Sequence, residues 1–237
     1  MPDNAELVYI LDLDGTVLGI NTFPRWVLYL ARAPFPSMGR PRRATLSCRV
    51  AALLAGRKLG LIGHERFKWR LQQLWGALPA VEAHGFAERM ARHVRPELTS
   101  VLAAIRAGRI DAVLATAAPA DYADCLGAAL GFTHVLATSG HRPIDEPGNI
   151  GERKRQAVED FLVRQGWEDR PRIVFTDHED DLPLIGICHR AYWFGSEEGL
   201  RIVARACPDV PVEGYAIAQW QDEMTGPLAA QARIASL

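Results

Sequence analysis

Hydrophobic positions in this chain recur in two different rhythms. Leu7 to Leu11 (Leu-Val-Tyr-Ile-Leu) is an unbroken apolar run, the pattern of a short strand buried on both faces of a parallel sheet. It stops abruptly at Asp12-Leu13-Asp14-Gly15-Thr16. From about Asn21 to Val94 the spacing turns helical. Trp26, Leu28, Tyr29 and Leu30 open it, Leu46, Val50, Leu53 and Leu54 recur at three- and four-residue steps, and Phe67, Leu71, Leu74 and Trp75 do the same. Pro34, Pro36 and Pro41 punctuate this stretch, and it holds no strand pattern.

After Arg95-Pro96 strands and helices alternate. The pattern predicts a helix from Pro96 to Gly108, a strand over 110–115, and a helix that starts near Pro119 and ends near Leu130-Gly131. Next come a strand over 133–137, a helix over 151–165, a strand over 172–176 and a short helical piece over 182–187. A strand over 191–194 and a helix over 197–206 complete it, and the last dozen residues carry too little pattern to place. Such alternation implies an α/β fold with a doubly wound parallel sheet, whose ligands bind beyond the carboxyl ends of its strands. The predicted division is a core from residues 1–18 and 95–237, with an inserted all-helical unit over 19–94.

The formal net charge of −1 hides an asymmetry. Residues 19–95 hold fourteen Lys and Arg against Glu65, Glu82 and Glu88, so they carry +11 and the remainder −12. A solvated basic surface accounts for this, as does a surface that meets an anionic substrate or an anionic membrane. The basic stretch is not expected to offer the interleaved exposed aromatics of a base-stacking surface, which argues against nucleic acid. No run nears the roughly 18 apolar residues of a membrane span. The opening Met1-Pro2-Asp3-Asn4-Ala5-Glu6 is acidic where a secretory signal is basic, so the expected address is cytoplasmic. Cys48, Cys125, Cys188 and Cys207 are too scattered for a metal pair and read as free thiols.

Four loops carry candidate chemistry. Asp12 and Asp14, two positions apart at a strand end, can point into one crevice, with Gly15 permitting the turn. Such acids repel unless a cation or a shared proton offsets them. Thr116 follows the apolar Val113-Leu114-Ala115 and precedes a helix, where a hydroxyl beside helix-start amides suits a phosphate oxygen or simply caps the helix. Lys154 lies near a helix start between Arg153 and Arg155, and charge alone does not say which of the three points inward. Asp177-His-Glu-Asp-Asp181 follows Ile173-Val174-Phe175, and its oxygen-rich side chains point to magnesium rather than zinc. His178 has no partner histidine at four residues' distance.

Taken in order, Asp-x-Asp-Gly-Thr, a strand followed by Thr, a Lys, and Asp-x-x-x-Asp resemble the four motifs of the haloacid dehalogenase superfamily, across essentially the whole chain. Ala-Thr-Ala-Ala-Pro and Asp-Asp-Leu-Pro-Leu resemble its phosphoserine-phosphatase-like branch (subfamily IB), and the helical insertion resembles the C1 cap. The fourth motif departs in one respect, with Thr176-Asp177-His178 where Gly-Asp-Ser is common. The resemblance implies a Rossmann-like core and a Mg²⁺-dependent phosphatase. Asp12 would be the nucleophile, giving an aspartyl-phosphate, and Asp14 the general acid and base. Thr116 and Lys154 would hold the phosphoryl group, and the Asp12, Asp14, Asp177 and Asp181 positions the metal. The expected substrate is a phosphorylated small molecule or a lipid phosphate, because residues 59–68 resemble the caps of bacterial phosphatidylglycerophosphate phosphatases. A metal-free dehalogenase has no use for Asp14 or the acidic fourth loop. A receiver domain is about half this length. The remaining alternative is a silent binding module that docks anionic partners through its basic insertion.

Overall fold

The computed structural model describes residues 7–32, 35, 37–76, 80–144 and 146–214. The acidic opening, Pro34, Pro36 and the final residues discussed above lie outside them. Six strands, β1 (Val8–Leu11), β2 (Asp111–Pro119), β3 (Val135–Thr138), β4 (Arg172–Thr176), β5 (Arg190–Trp193) and β6 (Val212–Gly214), form one parallel sheet. Its order is β3-β2-β1-β4-β5-β6. The chain therefore winds outward from β1 in one direction, then returns to its other side at β4. That reversal opens a crevice at the carboxyl ends of β1 and β4.

The apolar run of β1 is explained by burial on both faces. Val8 and Ile10 join a cluster with Val158, Phe161 and Leu162, while Leu7 and Leu11 join a larger one with Leu114 and Phe175. Both layers are helical. Helices α1 (Thr22–Arg32), α2 (Arg40–Lys58), α3 (His64–Trp75) and α4 (Ala80–Met90) lie between β1 and β2, followed by α5 (Thr99–Arg106). Helix α6 (Ala120–Leu130) connects β2 to β3, α7 (Glu152–Gln165) leads to β4, the one-turn α8 (Leu182–Ile185) precedes β5, and α9 (Glu197–Ala206) precedes β6.

The four helices after β1 leave and rejoin the core at one place. Leu18 bridges Val94, Gly19 N donates to His93 O at 3.0 Å, and Arg95 N donates to Val17 O at 3.0 Å. Aromatic packing joins them to α6. The fully buried Trp26 lies 5.7 Å from Trp75 and 5.4 Å from Tyr122 between ring centroids, and Phe86 lies 5.1 Å from Tyr122. Each such pair adds about 0.5–1.5 kcal/mol beyond the area it buries.

The elements match the sequence pattern to within a residue or two, with two exceptions. Strand β2 continues to Pro119, so Thr116 lies inside it and α6 begins only at Ala120. Pairing with β3, through an irregularity between Ala115 and Pro119, keeps this small-residue stretch extended. Helix-start amides consequently do not adjoin Thr116. The edge strand β6 is the second exception, and its three residues are too few to show an alternation.

Candidate active site

Sheet register brings the loops together. Leu11 pairs with both Leu114 and Phe175, so Asp12 emerges level with the residues following them on β2 and β4. Asp12 N donates to Phe175 O at 2.9 Å. Asp12, Asp14, Thr116, Lys154, Asp177 and Asp181 all line one cavity of about 430 Å³.

Lys154 sits in the first turn of α7, which begins after Gly151. Its buried ammonium donates to Asp12 Oδ1 and to Asp181 Oδ2, both at 2.7 Å. Asp181 Oδ2 also accepts from Thr176 Oγ1 at 2.6 Å. The flanking arginines are turned away. Arg153 pairs with Glu146, and Arg155 with Glu152 and Glu159. Burial alone would lower the Lys154 pKa, but Asp12 and Asp181 outweigh it and hold the ammonium above its ordinary value. Asp12 is pushed up to about 7 by burial, with Lys154 opposing and Asp181 and Asp177 adding to the rise. One lysine thus leaves the acids under-compensated.

Asp14 is held from the other side. Its Oδ1 accepts from Thr22 N at 2.9 Å and its Oδ2 from Thr22 Oγ1 at 3.0 Å, so the carboxylate takes up a free amide at the start of α1. The Thr22 hydroxyl lies 2.8 Å from Tyr122 OH, which connects it to the aromatic seam. Burial pushes Asp14 up to about 6, against the two bonds from Thr22. A carboxyl in that range can both give and take a proton near neutrality.

Gly15 is required where it stands. Its φ is +78°, and a Cβ there would lie 1.9 Å from Asp177 Oδ2. The missing side chain lets the Asp177 carboxylate rest against the Asp14–Gly15 turn. Thr16 Oγ1 donates to Asp177 Oδ1 at 3.2 Å, and burial raises the Asp177 pKa against that bond. Arg95 Nε and Nη2 both donate to Gly15 O, at 3.0 and 2.7 Å. Thr116 is buried, and its Oγ1 accepts from Ala118 N at 3.1 Å, which leaves its own proton free to point outward. His178 is exposed at the rim, where its Nδ1 accepts from Asp180 N at 3.2 Å and caps a 3₁₀ turn over Glu179–Asp181.

Six carboxylates line the cavity against two lysines, so its chemistry suits a hard cation. Among the described residues no three Asp, Glu, His or Cys side chains converge to enclose one by themselves. Asp12 and Asp177, carboxylates on either side of the Gly15 turn, could serve as donors to such a cation. An all-oxygen set of this kind fits a cation that keeps several waters.

Several lining residues are not individually marked by the sequence, although three of them fall in the 59–68 stretch noted above. Phe23, His64, Glu65 and Lys68 come from α1 and α3. Lys68 is 6% exposed, and its one hydrogen bond among the described residues goes from Nζ to Ala117 O at 3.0 Å. Glu65, by contrast, is neutralised by Arg142 at 3.1 Å and also accepts from Gly148 N.

Similarity to known proteins agrees with this architecture. Residues 9–185 match the model of the haloacid dehalogenase-like hydrolase family. No curated protein sequence matches the chain. Among solved structures, a protein with unknown function from Bordetella pertussis Tohama I is 22% identical, with a TM-score of 0.64, over 87% of this chain and 97% of that one. An HAD family hydrolase from Salmonella enterica serovar Typhi is 15% identical, with a TM-score of 0.54, over 86% and 66%. A phospho-aspartyl intermediate analogue of phosphoserine phosphatase is 13% identical, with a TM-score of 0.50, over 90% and 96%. These likenesses concern the fold. The match to the family model spans β1 to α8, the stretch that supplies every loop around the cavity, and the chain is therefore a member of the haloacid dehalogenase-like hydrolase family.

Proposed function

We propose that the protein is a magnesium-dependent phosphomonoesterase that works through a phosphorylated Asp12. The observation that carries this reading is the Lys154 ammonium, shared at 2.7 Å between Asp12 Oδ1 and Asp181 Oδ2 in a cavity whose other wall is Asp14. An Asp12 oxygen attacks phosphorus while Asp14 gives its proton to the departing alkoxide. Asp14 then takes a proton from the water that attacks the aspartyl-phosphate, which releases phosphate and restores Asp12. The third Lys154 proton and the free Thr116 hydroxyl proton are positioned to donate to phosphoryl oxygens.

Magnesium fits the oxygen donors described. Asp12, Asp177 and the Asp14 carbonyl would hold it, Asp181 assisting through water, and when bound it would offset the charge of phosphate and acids. At 4 Å and an effective dielectric of about 20, each like-charge pair costs roughly 4 kcal/mol, which the protein's cations alone do not balance.

Residues 19–94 act in this reading as a lid over the core formed by 1–18 and 95–237. The paired crossings at Leu18 and Val94 support a hinge there. Lys68, on the lid side, supports a substrate class. A buried cation whose contacts among the described residues are one carbonyl and the face of Phe23 at 5.9 Å has no counter-charge for its lost hydration, and an anionic group on the alcohol half of the ester would supply it. Phosphorylated hydroxy acids and lipid headgroup phosphates both offer such a group.

The test is phosphate release from p-nitrophenyl phosphate with and without Mg²⁺, for wild type and Asp12→Asn. Mg²⁺-dependent release that Asp12→Asn abolishes supports the reading. Absent or metal-independent release favours a silent binding module. Phosphoserine, a neutral sugar phosphate and a micellar lipid phosphate then separate the substrate sources.

A further inference from the structure

The turn between α2 and α3 presents two leucines to solvent. Leu59 is 72% exposed and Leu61 76%, and Leu54 on the last turns of α2 is also exposed. This apex is held in place. Gly60 adopts φ +74°, Leu59 N donates to Ala55 O and Leu61 N donates to Gly56 O, both at 2.9 Å, which is a glycine-closed helix end. Ile62 folds back over Gly56, where a Cβ would lie 2.8 Å from its Cδ1. The isoleucine is therefore turned in and the two leucines are turned out.

The helix that leads to this apex is basic. Residues 40–64 contain Arg40, Arg42, Arg43, Arg49, Arg57 and Lys58 and no Asp or Glu. None of these six cations has an ion-pair partner among the described residues. Ala44, Ala51, Ala52 and Ala55 share the exposed surface of α2. An apolar apex on a cationic helix matches the interface of an anionic bilayer, whose surface takes the charges and whose acyl boundary takes the leucines. The alternatives fit less well. A second copy meeting this face symmetrically would oppose six cations to six. Nucleic acid would use the cations but not the leucines, and residues 40–62 contain no aromatic side chain on which a base could stack.

We propose that this apex docks the protein on anionic phospholipid membranes, with Leu59 and Leu61 entering the interface and Arg57 and Lys58 beside them at the headgroups. The proposal concerns attachment and stands whether or not the enzyme reading holds. It is tested by co-flotation of the full chain with vesicles of phosphatidylcholine alone and of phosphatidylcholine with about a third phosphatidylserine. The variants are Leu59→Ser with Leu61→Ser, and Arg57→Gln with Lys58→Gln. None of the four positions lines the cavity, and a circular-dichroism melt matching wild type verifies folding.

Binding to the anionic vesicles alone is expected. The leucine pair should weaken it at least tenfold, and the charge pair about 25-fold at low salt, at roughly fivefold per cation. Three results would overturn the proposal: no flotation of wild type, flotation that the leucine variant leaves intact, or self-association that buries the apex without vesicles.

Discussion

Replacing Lys68 by Met removes a charge from the cavity wall with little change in shape. Lys68 is 6% exposed, its ammonium hydrogen-bonded only to Ala117 O among the described residues, and burial lowers its pKa despite Glu65 nearby. A hydrogen bond from such a group to a substrate anion is worth about 2 kcal/mol, or roughly 30-fold in kcat/KM. The variant should therefore lose about 30-fold on phosphoserine and less than about twofold on p-nitrophenyl phosphate, whose leaving half carries no second anion. Its thermal midpoint should change little, because the cost of a buried charge without a counter-ion goes together with one bond to a carbonyl and the contact with the Phe23 ring. The assay is the ratio of kcat/KM for the two esters, with Tm measured alongside. Equal losses on both esters would refute the reasoning and make Lys68 a contact to the phosphoryl group or a structural prop.

Three further outcomes follow from the same geometry. Asp12→Asn should abolish turnover yet melt no lower than wild type without metal, since a carboxylate raised to about 7 by burial is a charge the fold holds at a cost; a clear fall in Tm would contradict this. Arg95→Lys loses the paired donation to Gly15 O, so Mg²⁺ titration calorimetry should show about tenfold weaker binding, for roughly 1.4 kcal/mol lost; unchanged affinity would remove Arg95 from the account. Gly15→Ala would place a Cβ 1.9 Å from Asp177 Oδ2 at positive φ, so it should cost about 1–3 kcal/mol and eliminate stabilisation by Mg²⁺ in a thermal shift.

The sequence shows the fold wherever burial on two faces writes an unbroken apolar run, as at Leu7–Leu11 and Ile173–Phe175. It fails where tertiary pairing decides. The small residues Ala115-Thr116-Ala117-Ala118 have no strand signature, and distant partners hold them extended: β3 pairs with Ala115 and Pro119, Asn149 Nδ2 donates to Thr116 O, and Thr138 Oγ1 and Lys68 Nζ donate to Ala117 O. Sequence alone therefore places Thr116 beside helix-start amides that in the structure begin four residues further on. The first and fourth loops are legible because acids directly after a buried strand are unusual. The choice among Arg153, Lys154 and Arg155 is not, because it depends on α7's rotation against the sheet. Lys68 is harder still, since in sequence it is one of fourteen cations in a basic stretch and only packing of α3 over the cavity sets it apart. Thr22 and Arg95 act through long-range bonds to Asp14 and Gly15 that no local pattern announces. No helix among the described residues is long and apolar enough to cross a membrane, in keeping with the hydropathy pattern.

The account turns on Asp12 becoming covalently phosphorylated. Wild type mixed with p-nitrophenyl phosphate and Mg²⁺, quenched in acid within milliseconds and digested, should yield a peptide carrying phosphate on Asp12 that appears before steady-state release and is absent from Asp12→Asn. Phosphate release with no labelled peptide, or with the label on another residue, would contradict it.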